Sequence, residues 1–299
     1  MNVLVSGASG MVGSALVPLL KSGGESVRRL VRDGGDEHDV SWRPERNEID
    51  ERRLSSLDGV VHLAGEGIAS GRWTAEKKAR IRDSRVKGTR LLCEALARQS
   101  SPPRVLVCAS AVGFYGSRGD APLDEESSLG PGFLAELCRD WEGATRPAID
   151  RGIRVVRLRI GFVLSATGGG LARMVRPFRM GVGGVVGSGR QWMSWIALED
   201  LIGAIVHVLK AEALRGPVNA VAPEPVTNRE FTKTLGRVVG RPTILPMPAV
   251  AARLVFGELA DELLLSSQRV APKRLRDSGF PFRWPTLDAA LRHLLGGAA

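Results

Sequence analysis

The chain has 299 residues, 43% hydrophobic and 25% charged, ordinary proportions for a globular protein and a length that suits one large domain or one domain with an appendage. Its net charge of +10 favours anionic partners such as a phosphorylated cofactor, an acidic substrate or RNA, without choosing among them. No apolar run reaches the roughly 18 residues of a transmembrane helix, and the first strand begins almost at residue 1, so neither a membrane span nor a secretory leader is expected; the cytoplasm is the expected compartment. Cys93, Cys108 and Cys138 form no C-x-x-C pair, which reads as reduced thiols. The four histidines lack metal-ligand spacing, so no metal is expected. The basic residues are scattered rather than blocked, and aromatics are 5% of the chain, which makes a nucleic-acid surface an unfavoured reading.

In chain order, "NVLVSG" reads as a short apolar strand and Met11 to Ser22 as a helix closed by Gly23 and Gly24. "SVRRLVR" is a second strand, "DVSWRPERNEID" a small hairpin around Pro44 to Asn47, and "DGVVHLAG" a third strand. A long amphipathic helix follows from Thr74, then the strand "RVLVCAS", a helix over Pro131 to Ile149, and a fifth strand "IRVVRLRIGFVL". Strands alternating with helices predict a doubly wound parallel sheet, a Rossmann-type α/β fold, with the ligand crevice beyond the carboxyl ends of the strands. Residues 1–165 read as this core, with 195–222 returning to it. Residues 166–299 read as a smaller, mostly helical substrate-side region, including a module over about 245–296.

The first strand runs into G-x-x-G-x-x-G at Gly7, Gly10 and Gly13. Gly7 suits a tight turn, Gly10 a close approach to pyrophosphate, and Gly13 close helix–strand packing; the free N–H groups of the helix start then face the phosphates. An acid at the end of the second strand favours NAD and an Arg favours NADP. The strand ends "LVRDGG", with Arg32 ahead of Asp33, and a guanidinium grips phosphate through two parallel hydrogen bonds, so NADP is the expected cofactor.

These stretches resemble the extended short-chain dehydrogenase/reductases, the NAD(P)-dependent epimerase/dehydratase group. "VSGASGMVGSAL", "VVHLAG", "VKGTRLLCEAL", "SAVGFYG" and "RQWMSWIALEDLIGAI" carry the resemblance. "HLAGEGIASGRWT", "KARIRDSRVKGTRLL" and "GGVVGSGRQWMSWI" are similar to a subgroup called epimerase family proteins, whose C-terminal module of unknown function resembles the last 50 or so residues here. The resemblance implies cofactor contacts at Gly7, Ser9, Gly10, Met11 and Val12, at Arg32, at Leu63, Ala64, Gly65 and Glu66, and at Arg85 and Ser110. It places Gly161, Phe162 and Val163 near the nicotinamide, and Arg190, with Gln191 and Trp192, on the substrate side.

One family feature is missing. The group works with Tyr-x-x-x-Lys, the Lys lowering the Tyr pKa. The single tyrosine, Tyr115, has Gly119 four residues on, and no Lys occurs between Lys87 and Lys210. Aligning on Glu142 puts Leu134 and Cys138 at the two places; a shift by one puts Phe133 and Leu137 there. The family serine falls on Ala111 or on Ser110. Tyr115, Cys138, Ser110 and Glu66 remain as candidates for proton chemistry. Three readings stand at this point: an NADP-dependent reductase or epimerase of an anionic small molecule with a nonstandard acid, working as monomer or homodimer; a catalytically silent NADP-binding sensor; and an RNA-associated protein.

Overall fold

The computed structural model describes residues 1–32, 35–69 and 71–296; Asp33, beside Arg32, lies outside them. An eight-stranded sheet runs in the order β12-β8-β6-β5-β1-β2-β3-β4. Its strands are β1 (Asn2–Ser6), β2 (Ser26–Val31), β3 (Val40–Arg43), β4 (Glu48–Ile49), β5 (Gly59–His62), β6 (Val105–Ala111), β8 (Arg154–Ile160) and β12 (Gly216–Ala220). All pairings are parallel except β3 with β4, the expected hairpin, whose turn places Asn47 at φ 56°. Pairing of β3 with β2 adds that hairpin to the main sheet, an extension the sequence pattern did not reveal. Outside it lie three two-stranded pairs: β7 (Pro122–Leu123) with β14 (Arg269–Val270), β9 (Phe162–Leu164) with β11 (Trp195–Ala197), and β10 (Trp192–Met193) with β13 (Val226–Thr227).

The sheet is covered on both faces, as continuous apolar strands require. Val3 and Val5 of β1 pack with α1 (Met11–Ser22) and α6 (Leu198–Lys210) through Leu16, Leu20, Leu201 and Ile205. Leu4, pointing the other way along the same strand, packs with α2 (Ala75–Ala97) through Leu91, Leu92 and Leu96. β1 is flanked by β2 and β5, so the direction of winding reverses at the end of β1, where doubly wound sheets hold their ligands.

Two expected elements are each split. The helix over Pro131 to Ile149 starts at Phe133 and breaks at Ala144 and Thr145 into α3 (Phe133–Gly143) and α4 (Arg146–Asp150), with Pro147 at the start of the second piece. The fifth strand ends at Ile160. Gly161 turns the chain out of the sheet, because a Cβ there would lie 2.5 Å from the Ser194 carbonyl oxygen, and β9 pairs with β11 instead.

The C-terminal portion packs α5 (Gly169–Arg179), α7 (Asn228–Val238) and α10 (Leu287–Leu295) around Trp195 and Phe231. It also carries α8 (Ala249–Phe256) and α9 (Lys273–Asp277). Asp200, an acid expected early in α6, ties this portion to the sheet. Its buried carboxylate accepts from Arg283 N at 2.8 Å and Trp284 N at 3.0 Å. Burial raises its pKa, and those two backbone donors oppose the rise.

Candidate functional site

The glycine turn is built as its spacing implies. Gly7 has φ +67°, and a Cβ on it would meet Leu63 C at 2.9 Å. A Cβ on Gly13 would sit 2.2 Å from Gly7 O, so the first turn of α1 can lie against the strand end only without a side chain there. Gly10, the N-cap, is exposed, and its Cβ would come no nearer than 3.3 Å to Gly7 O. The start of α1 has no side-chain cap and no acid in its first turn. Its N–H groups therefore face the crevice with the positive end of the helix dipole behind them. This cradle fits a pyrophosphate.

Of the other expected cofactor residues, Leu63 and Ala64 lie against Gly7. Ser9 and Arg32 are exposed; Met11, Val12, Leu63, Ala64 and Glu66 are half-buried. A buried hydrogen-bond chain fixes the loop after β5. Ser6 Oγ meets His62 Nδ1 at 2.7 Å and accepts from Leu63 N at 3.0 Å and Ala64 N at 3.2 Å. His62 Nε2 lies 3.0 Å from Thr89 Oγ1, which also accepts from Trp141 Nε1 at 2.9 Å. Burial depresses the His62 pKa to about 4, so the ring is neutral in this chain.

Arg85 reaches across from α2 to donate to Glu66 O at 3.0 Å, and a Cβ on Gly65 would lie 3.1 Å from its guanidinium carbon. The Glu66 carboxylate is held by Lys77 at 2.5 Å and Arg80 at 3.4 Å; the Lys77 bond keeps its pKa low, which removes Glu66 as a proton donor near neutral pH. Gly161, Phe162 and Val163 are half-buried where β8 leaves the sheet. A wall absent from the sequence reading is the start of α5: a Cβ on Gly169 would lie 2.9 Å from Met11 Sδ. The run of Gly168, Gly169 and Gly170 was the available signal.

The place expected to supply proton chemistry is sealed. Tyr115 is fully buried and donates to Asn219 Oδ1 at 2.7 Å, while Arg159 Nη1 donates to its hydroxyl at 3.0 Å. Burial pushes the Tyr115 pKa up to about 12 despite the pull of Arg159. Arg159 also grips Glu142 with both ends of its guanidinium, at 2.8 and 3.0 Å, and Ser110 Oγ donates to the same carboxylate at 2.8 Å. Cys138 is buried on α3, and burial raises its thiol to about 12. Tyr115, Ser110 and Cys138, the residues expected to perform acid–base work, are thus all buried. Each is packed or hydrogen-bonded inside the core.

At the start of α3, where the resemblance put the tyrosine, Phe133 N and Leu134 N both donate to Glu262 at 3.2 Å. Gly132 leaves room for that carboxylate, since a Cβ would come within 2.6 Å of it. No sequence motif pointed to Glu262; its role depends on a contact across 129 residues. The substrate-side triplet diverges. Arg190 is exposed, with its backbone N–H on Ser188 Oγ. Trp192 is half-buried, donates to Asp120 Oδ1 at 2.9 Å, and lies under Arg269 at 4.5 Å. Gln191 is buried and donates to Val186 O and Leu264 O at 2.9 and 3.0 Å, which braces the loop.

The model of the NAD dependent epimerase/dehydratase family matches residues 3–220, and that of a domain of unknown function, DUF1731, matches residues 247–294. An epimerase family protein of Mycobacterium bovis is 47% identical over 290 residues, 97% of this chain and 96% of its own. The human epimerase family protein SDR39U1 is 37% identical over 298 residues, 99% of this chain and all of its own. A crystal structure of the human protein with NADPH matches with a TM-score of 0.92 at 36% identity, covering 99% of each chain. A UDP-glucose 4-epimerase of Thermotoga maritima, with UDP-glucose, matches with a TM-score of 0.77 at 17% identity, covering 99% of this chain and 98% of its own, a likeness of fold alone.

Proposed function

The chain belongs to the NAD-dependent epimerase/dehydratase family, and on that premise we propose that it binds NADP(H) at the glycine turn and acts on an anionic small molecule without a Tyr-x-x-x-Lys pair. The observation that carries this reading is the exposed Arg32 just after β2, the strand whose Leu30 pairs with Ser6 at the end of β1, together with the uncapped start of α1. The α1 N–H groups and Gly10 hold the pyrophosphate, and Arg32 holds the 2′-phosphate through paired N–H donors. Leu63 to Glu66, braced by Arg85, wall the crevice, and Gly161 to Val163 flank the nicotinamide. The bound cofactor supplies hydride. Arg190 offers an exposed cation to the substrate. NADPH in the human relative supports the choice of cofactor.

The test is calorimetric titration of NADPH and NADH. NADPH binds more tightly, and Arg32→Ala weakens it about tenfold to a hundredfold, the scale of a lost charge-assisted pair, while NADH is spared. Equal affinities in the wild type would overturn the reading. A second reading, a silent NADP(H) sensor, rests on the burial of Tyr115, Ser110 and Cys138. Stopped-flow NADPH oxidation with aldehydes, quinones and sugar nucleotides separates the two: turnover supports the reductase, and tight binding with no turnover supports the sensor.

A further inference from the structure

Among the described residues, most of the exposed large apolar side chains lie on two neighbouring segments. Met180, Val182, Ile244, Leu245, Val250, Leu254 and Val255 are between 52% and 78% exposed, whereas Met1, Leu19 and Ile149 stand singly elsewhere. The segments are joined edge to edge. Arg241 Nε donates to Arg179 O at 3.0 Å, Met247 N to Val185 O at 2.8 Å, and Val186 bridges Met247. Val250 and Leu254 are one helical turn apart on α8, with Ala252 buried between them in sequence.

The two stretches that carry these tips hold cations and no acids. No Asp or Glu occurs from Arg151 to Leu198 or from Phe231 to Gly257, stretches that include Arg173, Arg176, Arg179, Lys233, Arg241 and Arg253. The acids that follow are engaged: Glu258 by Lys78 at 2.9 Å, Asp261 by Arg253 at 3.0 Å, and Glu262 at the start of α3. Arg176, Arg179 and Met180 also line a cavity of about 480 Å³ against Leu294 and Leu295.

We propose that this face, the end of α5 with the loop after it, residues 241–247 and α8, is a peripheral docking surface for an anionic lipid bilayer. Protruding apolar tips set among arginines match the headgroup–acyl boundary, where apolar side chains insert shallowly and guanidiniums meet lipid phosphate. A second copy fits poorly, because a two-fold interface built on this face would bring arginines against arginines. No described helix is long and apolar enough to cross a membrane, so the contact is surface-bound. It departs from the sequence expectation of no membrane partner, which rested on the absence of a span.

The test is flotation of the full chain with vesicles of phosphatidylcholine alone and of phosphatidylcholine with phosphatidylglycerol. The protein floats with the anionic vesicles and not the neutral ones. The double variant Arg176→Gln/Arg179→Gln weakens binding about tenfold to thirtyfold, and Val250→Ser/Leu254→Ser does so by a similar factor. NADPH affinity and melting temperature, measured on each variant, stay at the wild-type value and show that the fold is kept. Absence of the protein from the anionic vesicles, or flotation unchanged in both variants, overturns the proposal. So does a homodimer by light scattering that dissociates on Leu254→Ser, which would put a second copy on the face.

Discussion

The carboxyl edge of the sheet ends in two regions with opposite solutions. At the end of β1 the chain has stripped away side chains: Gly7, Gly10 and Gly13 leave bare backbone and the uncapped start of a helix facing outward. At the ends of β6 and β8 it has filled the space, with Ser110, Glu142, Arg159, Tyr115 and Asn219 joined in one buried network. The first region is organised for a ligand that brings its own charge. The second pairs Arg159 with Glu142 inside the core. The glycine turn is left open to solvent, whereas the network at the ends of β6 and β8 is buried.

The largest expected effect breaks the filled region. Glu142→Ala leaves the Arg159 guanidinium buried without its carboxylate and should cost about 3–5 kcal/mol in urea unfolding. A loss below about 1 kcal/mol would mean that water already shares that site. Acid should find the link between the regions next. The His62 pKa is depressed from 6.5 to about 4, so the unfolded chain binds the extra proton between those values. Stability is then complete above about pH 6.5 and falls with acidification toward pH 4, by about 3 kcal/mol. Melting curves across that window check it, and His62→Gln should flatten the slope.

The open region is sharpened by two alanines. Gly13→Ala places a methyl 2.2 Å from Gly7 O and should cost about 1–3 kcal/mol of stability together with NADPH binding. Gly10→Ala, whose new methyl meets Gly7 O at 3.3 Å and needs only a small shift, should cost less stability than Gly13→Ala and weaken NADPH about tenfold, as calorimetry reads. Equal melting temperatures for the two variants would undo the distinction. The smallest effect is that of Tyr115→Phe, which removes one hydroxyl between Asn219 and Arg159. It should cost about 1–2 kcal/mol and leave any NADPH turnover unchanged. Abolished turnover with intact stability would place Tyr115 on the substrate after all.

How far the sequence went follows from the range over which each constraint acts. The alternation of apolar strands and helices, the glycine spacing and Arg32 at a strand end are local signals, set within a few residues by backbone sterics and by which face must be buried. They sufficed for the doubly wound fold and the place of the crevice. The missing Tyr-x-x-x-Lys pair was equally plain, because it needs only a count of residue types. Burial and partnership were not legible. Tyr115 finds Asn219 104 residues away, Gln191 finds Leu264 73 away, and Glu262 reaches Leu134 across 128. Whether a hydroxyl faces substrate or core, and whether a strand continues or turns out at Gly161, depends on what packs against it from distant segments. The sequence by itself determined where backbone could be left bare for a cofactor; tertiary packing alone decided which polar side chains remained free to do chemistry, because a side chain's exposure belongs to its neighbours in space.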